Sequence, residues 1–83
     1  MSVKKVYMVR VIVVERKNDK NEHFFEGAKV RIEQNPKKVE PDEVVVEGIL
    51  QFEEYENSFY INPPNSKYLV YIDPRNIVKM KQL

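Results

Sequence analysis

Nucleophilic catalysis needs a hydroxyl or thiol beside a positioned base. The 83-residue chain offers three serines (Ser2, Ser58 and Ser66), a single histidine, no threonine and no cysteine. No serine stands at a triad-like spacing from His23, which follows the polar run 17–22 and precedes Phe24 and Phe25. That is the place of a solvent-exposed residue at the start of a strand rather than of a catalytic base. The absence of cysteine removes disulfides, thiolate metal sites and a thiol nucleophile together. Glu53, Glu54 and Glu56 could pair carboxylates for acid–base work or offer oxygen ligands to a divalent cation. No EF-hand spacing, glycine-rich phosphate loop or zinc spacing accompanies them, so they read as a solvated acidic turn. The expectation is a non-enzymatic protein with no catalytic residues, no metal and no cofactor.

The aromatic residues are better placed for binding. Tyr55, Phe59, Tyr60, Tyr68 and Tyr71 cluster in the second half of the chain, where an exposed subset could stack on bases or anchor a protein interface. On alternation, Tyr60 and Tyr71 point away from Phe59, Val70 and Ile72, which makes them the candidates for an exposed surface. The same pattern also fits aromatics that finish a second hydrophobic face or a subunit contact.

The elements that must carry these residues are strands. Over 5–15 both alternating faces are apolar apart from Arg10, which predicts a strand buried on both sides. A polar turn at 17–22 leads to a strand over 23–33 with Phe24, Ala28, Val30 and Ile32 on one face, closing a first hairpin. Pro36 and Pro41 place a loop over 35–42. The segment 43–53 alternates, Val44, Val46, Leu50 and Phe52 facing one way and Glu47, Gln51 and Glu53 the other. A turn at 54–57 precedes a strand with Phe59 and Ile61, ended by Pro63, Pro64 and Asn65. Strands at 68–72 and 77–81 flank a tight turn at 73–76. Gly27 and Gly48, the only glycines, fall inside strands and permit bulges or sharp bends. The fold expected is all-β: one domain over 1–83, a small, strongly bent five- to six-stranded antiparallel sheet or barrel, with closure favoured because it removes exposed edges.

Size and charge bound the rest. A chain this short holds one core, and without staples it must rely on dense packing or on assembly with other chains. The longest apolar run of the first strand region, Val11 to Val14, is far short of a membrane span, and Arg10 with the charged residues after Glu15 argues against a secretory signal. The expected location is cytoplasmic. Net charge is +1, distributed as +5 over 1–38, −7 over 39–66 and +3 over 67–83. A domain-wide basic excess, the usual mark of general nucleic-acid binding, is missing, while a local basic face remains open.

Two segments resemble Sm-like proteins. Gly48-Ile49-Leu50-Gln51-Phe52-Glu53-Glu54-Tyr55-Glu56-Asn57 is similar to the first Sm motif, in which glycine, an apolar residue, an aromatic, an acid and an asparagine follow in order, here one residue shorter. Val70 to Met80 is similar to the second, an apolar strand, a tight turn and then Asn76-Ile77-Val78. The resemblance covers about the last 40 residues and implies a five-stranded bent barrel that assembles into rings and binds single-stranded RNA. It implies an RNA contact at Asn57. Where the family carries Arg-Gly in its second turn, this chain has Asp73 and Pro74, a negative charge where a donor is wanted. The same tail resembles SH3-like domains, in which a strand, a Pro-containing turn and an Asn-apolar-Val run close the barrel.

The leading expectation is a non-enzymatic small β module that binds protein, copies of itself included. The alternative is an Sm-like, single-stranded nucleic-acid-binding oligomer, using Tyr55, Asn57 and Arg75 around an opening, with Lys79 and Lys81 on the phosphates. Tyr60 and Tyr71 complete the candidate binding residues.

Overall fold

The computed structural model describes residues 9–15, 20–64 and 66–83. Among these residues lie two short 3-10 segments and seven antiparallel strands: β1 (Val11–Val14), β2 (Glu22–Phe25), β3 (Lys29–Gln34), β4 (Val45–Glu53), β5 (Ser58–Ile61), β6 (Val70–Ile72) and β7 (Ile77–Gln82). The all-β expectation holds. No helix among the described residues is long and apolar enough to cross a membrane.

The strands form two sheets. One is the hairpin β1–β2, and the other runs β6-β5-β4-β3-β7. The sheet alternative is realised and barrel closure is not, because the outer strands β6 and β7 do not pair with each other. The bend predicted from the glycines is built into β4. Its first half pairs with β3 from Val45 to Ile49, and its second half pairs with β5 from Leu50 to Glu53. At the changeover Gly48 has φ of +156°, and a Cβ there would lie 2.7 Å from Cγ2 of Ile61. Only a residue without Cβ lets β5 approach so closely.

The segment expected to run as one strand over 23–33 is two. Gly27, with φ of +94°, turns the chain between β2 and β3, and its N–H donates to the Leu50 carbonyl at 2.7 Å. The break carries the chain from the hairpin into the larger sheet. Phe24, Val30 and Ile32 nevertheless join one core, as alternation predicted, with Ala28 packed at its margin. That core draws on every strand: Ile12 and Phe24 from the hairpin, then Val30, Ile32, Val46, Leu50, Ile61, Val70, Ile72 and Met80.

The first strand is corrected. Of the predicted span, residues 5–8 lie outside the described residues, as do 17–19 of the following turn and Asn65. In β1 Ile12 is buried and Val14 half-buried, while Val11 and Val13 face outward. A two-stranded sheet lying on a core has one face inside and one outside, so double burial does not follow from an apolar run alone. Tyr68 is also moved: it sits in the bend before β6, not in the strand.

Gln34 is the buried polar residue among those described. Its backbone N–H donates to the Val44 carbonyl at 2.7 Å, and its Nε2 donates to the Glu43 carbonyl at 2.8 Å. These bonds tie the proline-containing loop to the end of β3.

Candidate binding site

Between the β4–β5 turn and the turn before β7 lies a cleft of about 540 Å³, lined by Arg10, Asn57, Tyr71, Asp73 and Arg75 over Phe52 and Phe59. Its base is a cross-strand aromatic pair: Phe52 and Phe59 are register partners whose rings meet edge to face at 5.0 Å. Such pairs add to simple burial. Arg10 lays its guanidinium over Phe52 at 4.7 Å from the ring centroid. That places a cation at the cleft from the segment just before β1.

Asn57 owes its position to backbone conformation. It has φ of +53°, which asparagine tolerates better than other non-glycine residues, and its N–H donates to the Glu54 carbonyl at 3.2 Å. Across the cleft, the Asp73 carboxylate accepts from the Arg75 backbone N–H at 3.0 Å. It also accepts from Nε at 3.1 and 3.2 Å and from Nη2 at 2.8 Å. The side-chain hydrogen bond from Arg75, then its backbone N–H, holds the Asp73 carboxyl below the usual carboxylate range. The same bond to Asp73 raises Arg75. Arg75 is thus engaged by its neighbour, while the Arg10 guanidinium has no ion pair among the described residues and the Arg10 backbone N–H donates to Glu26 Oε1 at 2.8 Å.

The sequence candidates divide among four places. Asn57, Tyr71 and Arg75 line the cleft. Tyr55, 91% exposed at the turn tip, does not. Tyr60 is the register partner of Tyr71, their rings 6.0 Å apart on the face turned from the core, and its hydroxyl donates to Gln51 Oε1 at 2.9 Å. The predicted outward pair is present. Lys79 and Lys81 stand elsewhere, opposite Glu33 and Arg31 on the β3–β7 face.

Two features escaped the sequence reading. Arg10 registered only as a charge interrupting an apolar strand, and that interruption was the available signal. The other is the outer face of the hairpin, where Val9, Val11, Val13 and Phe25 are each 38–55% exposed and Val11 is the register partner of Phe25. Its apolar content was legible, but its exposure was not. Comparison with protein-family models, curated proteins and solved structures gives no match.

Proposed function

We propose that this chain is a non-enzymatic, cytoplasmic β module that works by binding protein, with a second copy of itself as the first partner. The observation that carries the reading is the exposed apolar face of the hairpin formed by Val9, Val11, Val13 and Phe25. A contiguous apolar patch of this kind is the usual mark of an interaction surface. Ile12 and Phe24 already hold the other face against the core. A two-fold contact would lay one hairpin on another, since the same patch on both copies is self-complementary when it is apolar. Burial of that surface contributes at roughly 25 cal/mol per Å².

Light scattering across a tenfold concentration range tests it. The wild-type chain is expected to move from monomer toward a larger species as concentration rises. The double variant V11K/V13K, whose changes fall on exposed positions, should remain monomeric with an unaltered melting temperature. A single monomer mass for the wild type throughout overturns the reading.

A second reading, single-stranded nucleic-acid binding of Sm-like type, draws on one observation: Asn57 and Arg75, far apart in sequence, share a cleft with Arg10 and Tyr71. The five strands β3 to β7, bent at Gly48, fit the Sm-like or SH3-like resemblance. The Asp73–Arg75 pairing weighs against it. A fluorescent uridine-rich oligonucleotide should bind at low salt, weaken steeply toward physiological ionic strength, and lose affinity in Arg10→Ala and Tyr71→Ala. No binding at low salt removes this reading.

A further inference from the structure

Among the described residues, the first half of β4 has a strand on one side only. Leu50 N–H donates to the Ala28 carbonyl at 2.9 Å and Gln34 N–H to the Val44 carbonyl at 2.7 Å, which fixes the β4 residues that bond toward β3. By the alternation of an antiparallel ladder, Val46 and Gly48 exchange hydrogen bonds with β3, and Val45 and Glu47 direct theirs the opposite way. On that opposite side β5 pairs only from Leu50 to Glu53, so no strand among the described residues faces Val45 to Glu47.

A groove of about 710 Å³ lies there instead. Its apolar lining includes Val45, Tyr68 and Leu69, which are all exposed. Asp42, Glu43 and Glu47 line it as well, and Lys67 is the one base among the described residues that line it. Glu47 is 3.8 Å from Arg31, a weak surface pair, and Asp42 and Glu43 have no ion-pair partner among the described residues.

We propose that this groove takes up an extended segment of a partner protein as an added strand on β4, a segment that combines basic and aliphatic residues. Each part of the groove selects one property of the occupant. The outward N–H and C=O groups of Val45 and Glu47 select an extended backbone, as in recognition by strand addition. Tyr68, Leu69 and Val45 select aliphatic side chains. The excess of carboxylates over Lys67 selects Lys or Arg beside them, Glu47 sharing the outward face of β4 with Val45, and rejects acidic segments. The groove is built from β4, Pro63, Pro64 and residues 66–69, so it stands apart from the hairpin face and goes beyond self-association.

Selection of displayed random peptides of about a dozen residues on the full chain tests it, followed by anisotropy titration of an enriched, fluorescein-labelled peptide. The enriched peptides are expected to carry Lys or Arg together with Val, Ile or Leu. Binding should weaken by about tenfold or more in D42K/E43K and in Tyr68→Ser, and stay unchanged in V11K/V13K. Amide shifts on titration should concentrate at 45–49 and 67–70. Tyr68 is 78% exposed, so Tyr68→Ser keeps the test open even if the charge reversal disturbs folding. Absence of enrichment, enrichment of acidic or uncharged peptides, or binding that survives both groove variants overturns the proposal.

Discussion

At the scale of single residues, the two glycines separate two kinds of cost. At Gly27 a Cβ would meet nothing within 4 Å, so Gly27→Ala bears only the price of a positive φ of +94°. That is about 1–2 kcal/mol. At Gly48 the added carbon also lies 2.7 Å from Ile61 Cγ2, so Gly48→Ala should cost roughly 2–4 kcal/mol in urea unfolding, strain and overpacking together. Equal losses at the two positions would contradict the close approach of β5. Asp73 gives a pH prediction. Its folded pKa is depressed by Arg75, so the stabilisation is present above the ordinary Asp value and is lost as pH falls through the lower, folded one. The carboxyl carbon of Asp73, followed by NMR below about pH 4, should titrate lower in the wild type than in Arg75→Ala. The pair lies at the surface, so only a small change in stability accompanies it.

Among the elements, the hairpin and the larger sheet hold to the core unequally. The sheet supplies eight of the ten buried apolar residues, and the hairpin supplies Ile12 and Phe24. Hydrogen exchange should therefore be faster for the amides of β1 and β2 than for those of β3 and β4, through local opening of the hairpin. Phe24→Ala should cost about 3–5 kcal/mol and widen that difference, whereas Leu50→Ala, about 2–5 kcal/mol, should accelerate exchange throughout. The strand pattern was readable wherever polar and apolar residues alternate, as in β4. The division at Gly27 was not readable, because 23–33 keeps its alternation across the turn and the change of sheet leaves no mark in composition. The candidate site was legible to the extent that Asn57, Tyr71 and Arg75 were named. That they share a cleft, and that Lys79 and Lys81 do not, depends on where β5, β6 and β7 lie in the sheet.

For the whole molecule, the uneven charge along the chain becomes a surface pattern. Arg31, Lys79 and Lys81 gather on the β3–β7 face, and Asp42, Glu43 and Glu47 line the groove beside β4. The proposed self-association through the hairpin is apolar in origin. Its dissociation constant should change by less than about tenfold between low and physiological salt, because ions screen charges and leave apolar burial nearly unaffected. Sedimentation at two ionic strengths checks this. A steep loss with salt would place the contact on the charged faces instead of on β1 and β2.

The sequence by itself determined an all-β chain, the turns at 54–57 and 73–76, the outward-facing Tyr60 and Tyr71, and the absence of a disulfide or thiolate site, because these follow from residue type and a period of two along the strand. The tertiary structure alone decided that the sheet stays open, that the first strand is covered on one face, and that Arg10 reaches Phe52. These depend on which strands become neighbours, and neighbours distant in sequence are chosen by the packing of the shared core around the bend at Gly48.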